Sequence, residues 1–271
     1  METPMPNPPQ WSSSRPAGLL RAALLLLSLG GLAPAARAQE AQAGGERPFT
    51  EGEVLAYQVS LGKHGRSGTG WLRVQPAQPL RAEPVVLLRF DFETTVGPFH
   101  IQHHSRSWLS ARRMTALRYE VDERVPLKTV RERVEIFPDD QRWERAATKG
   151  RSSSLEPLDE LSFLYALRTM ALTPGVVHRL DRHFDARRNP VVVRVLRREP
   201  LRVPAGEFST VVVEMEVRDP ERFGGRGLLR LYLTDDARRL PVRIESQVPV
   251  AGQLVLELKP PLPDNERRVE P

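Results

Sequence analysis

The feature that most constrains this chain is a period-two alternation of apolar and polar residues that runs from Phe49 to Leu258 and is interrupted once. In Thr129–Phe137, for example, Val130, Val134 and Ile136 share one face while Arg131, Arg133 and Glu135 take the other. That pattern puts one face of a strand in a core and the other in water. Comparable runs are Val54–Val59, Trp71–Val74, Val85–Val96, His100–Leu109, Ala116–Asp122 and Gln141–Ala146 before the interruption. After it come Val176–Phe184, Val191–Arg198, Phe208–Val217, Gly227–Thr234, Val242–Val248 and Leu254–Leu258. Turn residues separate them: Gly65, Gly68 and Gly70; Pro138-Asp139-Asp140; Asn189-Pro190; Pro204-Ala205-Gly206; Gly224-Gly225; Asp235-Asp236; Ala251-Gly252. Short strands at a spacing of about 8–12 residues specify an antiparallel sheet or barrel. A parallel sheet would need a helix after nearly every strand.

The interruption reads as a helix. Ser152-Ser153-Ser154 and Pro157 lead into Asp159, whose short carboxylate suits an N-cap and the positive end of the helix dipole. Leu161, Leu164, Tyr165 and Arg168 recur at helical spacing, and so do Phe163, Leu167 and Met170. Apolar residues around most of the circumference predict burial on more than one side. Pro174-Gly175 closes the segment. The expected fold is therefore mainly β: a single curved antiparallel sheet, half-barrel or barrel, wrapped around one central helix at about 159–172.

The first residues read as an export signal. Arg15 and Arg21 precede a short apolar run, Ala22 to Leu29, and the small residues Ala36 and Ala38 flank Arg37. A positive flank, a short apolar stretch and a small-x-small exit make a secretory signal peptide over residues 1–38. The run falls short of the about 20 apolar residues that cross a bilayer. Residues 39–47 read as a flexible leader, 48–259 as the β domain and 260–271 as a disordered, Pro-rich and charged tail. The expected location is the periplasm of a Gram-negative-type bacterium, with the extracellular space as the alternative. The mature chain is not expected to span a membrane.

The chain has no cysteine, which excludes disulfides, thiol catalysis and a lipid anchor on cysteine. Its net charge is +6, carried almost entirely by Arg, with Lys only at Lys63, Lys128, Lys149 and Lys259. A nucleic-acid surface gathers positive charge on one face. Here Arg alternates with Glu and Asp, as in Arg131-Glu132-Arg133-Val134-Glu135, so no nucleic-acid partner is expected.

Several strings, in order, resemble the bacterial family called domain of unknown function 3108. They are Pro48-Phe49-Thr50-Glu51-Gly52-Glu53-Val54-Leu55-Ala56-Tyr57, Gly68-Thr69-Gly70-Trp71-Leu72, Asp159 to Arg168, Val203-Pro204-Ala205-Gly206-Glu207-Phe208 and Leu231 to Val242. In the last, Tyr232 stands where the family often has Trp. The resemblance spans about 48–258 and implies an exported, mainly-β protein. It implies no activity and no catalytic residues. At the level of fold the pattern is also similar to curved sheets that wrap a helix, such as lipoprotein carriers of the periplasm.

No set of residues presents itself as catalytic or metal-binding. His100 and His104 share a strand face but lie about 13 Å apart at about 3.3 Å per residue, too far for one metal ion, and His103 points the other way. His178 and His183, five apart, fall on opposite faces of a strand. Adjacent residues of a strand likewise diverge, so Asp235-Asp236 reads as a turn. Ser152-Ser153-Ser154 reads as a solvated linker, and the glycines at 65–70 and 224–227 as hairpin turns. No cofactor is expected. A sheet curled around an apolar helix leaves a groove that suits a hydrophobic ligand, and Leu161, Phe163, Leu164, Tyr165, Leu167, Met170, Trp71 and Tyr57 are its candidate lining. The leading expectation is a non-enzymatic envelope protein that binds a hydrophobic ligand or an envelope component there. The alternatives are a packed interaction protein without a ligand, and an envelope hydrolase that uses carboxylates from separate strands.

Overall fold

A computed structural model describes residues 47–62, 66–96, 98–125, 128–219, 225–248 and 252–261. The proposed signal peptide, nearly all of the leader and most of the tail lie outside the described residues. Eight strands come first: β1 (Val54–Leu61), β2 (Arg66–Pro76), β3 (Val85–Val96), β4 (Phe99–Ser110), β5 (Ala116–Val125), β6 (Lys128–Phe137), β7 (Arg142–Arg145) and β8 (Thr148–Arg151). Helix α1 (Glu160–Thr169) follows, and then β9 (Val177–Leu180), β10 (Val191–Val203), β11 (Gly206–Asp219), β12 (Gly225–Thr234), β13 (Pro241–Val248) and β14 (Gly252–Leu258).

All fourteen strands form one antiparallel sheet in the order β8-β7-β6-β5-β4-β3-β2-β1-β14-β13-β12-β11-β10-β9. Each half is a meander of sequential neighbours, and the halves meet where β1 pairs with β14, from Tyr57↔Leu258 to Leu61↔Leu254. β8 and β9 are the two edges, so the sheet does not close. The segment between them carries the helix.

Pleating sorts the side chains. Leu55, Tyr57, Val59, Leu72, Val74, Leu88, Tyr119, Val134, Ile136, Val193, Val213, Leu231 and Leu256 join one buried core. The opposite face is a lattice of ion pairs across neighbouring strands. Arg73 meets Asp91 at 2.7 Å, Arg118 meets Glu135 at 2.7 Å, Arg194 meets Glu216 at 3.0 Å and Arg230 meets Glu214 at 3.2 Å. Trp71 pairs with Ala56 and Asp91 and so stands on this charged face, with the Arg73 guanidinium 5.2 Å from its ring. Gly68 and Gly70 lie inside β2 rather than in a turn. A Cβ on Gly68 would fall 1.9 Å from the Glu93 carbonyl oxygen, so close backbone approach between β2 and β3 requires glycine there.

Asp159 caps α1. Its Oδ1 accepts from the N–H groups of Leu161 (2.9 Å) and Ser162 (2.8 Å), and the Ser162 hydroxyl accepts from Asp159 N–H at 2.8 Å. This reciprocal box satisfies donors that a helix start leaves free. Every residue from Leu161 to Arg168 is buried. The helix stops at Thr169, short of the expected 172, where the Thr169 hydroxyl donates to Ala166 O and Met170 turns extended. Arg168, fully buried, holds Glu53 through two bonds of 2.6 and 2.8 Å and donates to Pro48 O at 2.7 Å. The N-terminal segment is thereby fixed to the helix.

The linker stitches the two edges without a ladder between them. Leu158 N–H donates to Arg182 O (2.6 Å) and Phe184 N–H to Leu158 O (2.9 Å). Ser152 N–H donates to Gln141 O, the Ser153 hydroxyl donates to Asp181 O, and the Asn189 amide donates to Ser153 Oγ. The serine run is therefore built into the seam, with Ser152 buried, rather than a solvated linker.

Candidate functional site

α1 and both halves of the sheet line a cavity of about 310 Å³ that is partly open to solvent. The helix contributes Leu161, Phe163 and Leu164. The first half of the sheet gives Leu72, Phe90, Tyr119 and Val121, and the second gives Met215, Leu229, Ile244, Leu254 and Leu256. The inward pleat of each strand places these residues, and each strand presents every second one.

One side of the lining is polar. Glu160, His183 and Arg188 stand beside the seam, and Glu123, Glu132 and His103 come from the facing strands. Arg188 donates to Glu160 Oε1 at 2.5 Å, and His183 Nε2 lies 3.6 Å from the same oxygen. Burial pushes the Glu160 carboxyl up, but His183 and Arg188 outweigh it and hold it at about 2. Arg145 reaches Glu132 at 3.2 Å, and His103 lies 3.8 Å from Glu123 and stacks on Phe92 with 5.2 Å between ring centroids.

His183 is fully buried, between the rings of Phe163 and Phe184. Asp185 N–H donates to its Nδ1 at 3.0 Å, which leaves the ring proton on Nε2. Among the described residues no atom bonds to Nε2, nor to the buried Glu160 Oε2.

Of the eight residues expected in a groove, Leu161, Phe163 and Leu164 line the cavity. The other five do not. Tyr57 lies in the closed core and donates to Pro241 O at 2.7 Å. Tyr165 packs edge-on to Phe49 at 4.9 Å, toward the Arg168 anchor, and burial drives its hydroxyl well above the usual range. Leu167 is fully buried in the core, Met170 lies beyond the helix end, and Trp71 is on the charged face.

His100 and His104 do face opposite to His103. His104 meets Asp91 on the outer face at 2.9 Å, whereas His103 lines the cavity. Among the described residues no group of three His, Asp or Glu side chains is placed to hold a metal ion. Asp236 is a turn former: its Oδ1 accepts from the Thr234 hydroxyl and from the N–H groups of Arg238 and Arg239. His183 is not in a strand with His178, because β9 ends at Leu180 and His183 instead bridges Leu158. The alternation reading hid it.

Comparison with known proteins now decides the family. The profile named Protein of unknown function (DUF3108) matches residues 56–259. The chain belongs to the DUF3108 family. The match runs from within β1 to just past β14 and so covers the helix and all but the first two residues of the sheet. No curated protein matches the chain significantly. Among solved structures, this family member is similar to a beta-barrel-like protein of domain of unknown function DUF1849 from Brucella abortus. The TM-score is 0.49 at 10% identity, over 76% of this chain and 95% of that one. It is also similar to a candidate lipoprotein from Parabacteroides distasonis, with a TM-score of 0.30 at 11% identity over 79% of this chain and 96% of that one.

Proposed function

We propose that this protein is exported to the bacterial envelope, with residues 1–38 as its signal peptide, and that it binds one apolar ligand between helix and sheet. The periplasm is the compartment that fits the leader. Curling of the sheet about α1 supplies the enclosure, and Leu161, Phe163 and Leu164 supply the helix side of the contact. The observation that carries the reading is the cavity itself: about 310 Å³, walled by apolar side chains from the helix and from both halves of the sheet. Ligand sites begin at about this size. The charged outer face supports a role in water, since a lipid-facing sheet surface would be an apolar band. Among the described residues no helix is long and apolar enough to cross a membrane.

The test uses the neutral fluorophore N-phenyl-1-naphthylamine on protein recovered from the periplasm of an expressing host. Saturable binding by the wild type is expected, and weaker binding in Ile244→Trp, whose larger ring takes room from the cavity. Native mass spectrometry of the same preparation is expected to show a small-molecule adduct that organic extraction removes. No fluorophore binding and no adduct would overturn ligand carriage and leave a packed interaction protein.

A further inference from the structure

The cavity is apolar but not uniformly so, and its polar side presents one donor and one acceptor that the protein leaves unmatched. His183 is fully buried and lines the cavity, and its Nε2–H has no partner among the described residues. Glu160 Oε2 is buried and equally unpartnered, while Arg188 takes the other oxygen of the same carboxylate. A buried polar atom without a partner is costly, and native proteins keep such atoms where a ligand or water completes them. With Glu160 Oε1 only 3.6 Å from His183 Nε2, both unmatched atoms lie within reach of one small group. The group that completes both must accept from Nε2–H and donate to a carboxylate.

We infer that the ligand is an uncharged amphiphile, an apolar chain or ring system ending in a hydroxyl, with that hydroxyl held between His183 and Glu160. This rests on the apolar-ligand reading above and sharpens it. The charges around the cavity argue the same way. Glu123, Glu132 and Glu160 line it against Arg188, with Arg145 on Glu132, so the carboxylates still outnumber the arginines and an acyl carboxylate would enter a field of its own sign. A cationic head would meet the imidazole donor, and both Glu132 and Glu160 already hold an arginine. A hydroxyl satisfies the donor and the acceptor with no charge to desolvate.

The experiment displaces bound N-phenyl-1-naphthylamine with three probes of equal chain length: decan-1-ol, decanoate and decylammonium. Decan-1-ol is expected to compete at least tenfold more tightly than either charged probe. In His183→Phe, which keeps an aromatic ring against Phe163, that preference, measured relative to the variant's own fluorophore affinity, is expected to fall to about threefold or less. In His183→Gln, which offers an amide N–H near the Nε2 position, the preference is expected to recover. If His183→Phe does not fold, Glu160→Ala carries the same comparison. Decanoate or decylammonium competing as well as decan-1-ol would overturn the hydroxyl assignment and leave the apolar site standing. A preference for decan-1-ol that survives loss of the His183 or Glu160 side chain would overturn their role. Failure of the fluorophore itself to bind would instead remove the apolar-ligand reading beneath it.

Discussion

Asp159 does two jobs that pull against each other. As N-cap it accepts from two backbone N–H groups, and its Oδ2 accepts from the Ser107 hydroxyl at 2.6 Å. It is also fully buried, and that burial raises its carboxyl to about 7 against the hydrogen bonds that favour the anion. The folded protein therefore holds this proton more tightly than the unfolded chain, which releases it near pH 4. The stability tied to Asp159 is complete below pH 4, is lost as pH rises to about 7, and is level above. Each tenfold in proton affinity is worth about 1.4 kcal/mol, so the loss amounts to a few kcal/mol. Asp159→Asn keeps a good cap and removes the charge. Urea denaturation between pH 4 and 8 is expected to show a falling midpoint in the wild type and a flatter one in Asp159→Asn. Glu160, held at about 2, works the other way: its contribution is present above pH 4.5 and fades only as pH drops toward 2. The two windows meet only between about pH 4 and 4.5, so one titration separates the neighbours.

At the scale of elements, the hairpin between β2 and β3 shows where local preference has been overruled. Leu80 and Glu83 exchange both backbone hydrogen bonds at 3.0 Å, and the two residues between them, Arg81 and Ala82, have φ of 52° and 63°. That tight turn asks for Asn-Gly. Arg81 has a reason to be there, since its guanidinium donates to Leu117 O (2.6 Å) and Ile136 O (2.7 Å) and ties the turn to β5 and β6. Ala82 has none that the structure reveals. Ala82→Gly is expected to stabilise the protein by roughly 0.5–1 kcal/mol, read as a higher denaturation midpoint at unchanged slope. Long strands with one wet face were legible from alternation alone, and Val85–Val96 coincides with β3 to the residue. β8 was not: Thr148, Lys149, Gly150 and Arg151 include no large apolar residue, and Gly150, paired with Trp143, leaves room for that ring where a Cβ would collide with it. The cavity side of α1 was only partly legible. When every face of a helix is buried, spacing cannot tell Leu164, which meets the cavity, from Leu167, which meets packed side chains. The His183–Glu160 pair was invisible, because a bridge between Leu158 and His183, not sequence spacing, brings it together.

For the molecule as a whole, pairing is uneven in range. Most ladders join neighbours in sequence, but β1 and β14 lie some two hundred residues apart and no local pattern announces their register. The edges differ in the opposite sense. β9 has four residues, borders only β10, and leaves Val177 exposed. Hydrogen exchange is expected to be fastest in β8 and β9 and slowest in the central strands β1, β2, β13 and β14, as edge ladders open without disturbing the core. Equal protection at edge and centre would mean that the linker stitching is as strong as a ladder.

The meeting of β1 with β14 also sets an order of events during synthesis. The strand made first keeps an unfilled side until the strand made last has left the ribosome, so no length of nascent chain short of about residue 258 can complete the sheet. A transcript cut short by about twenty codons, before β14, would release a product in which β1 and β13 stand as bare edges open to association.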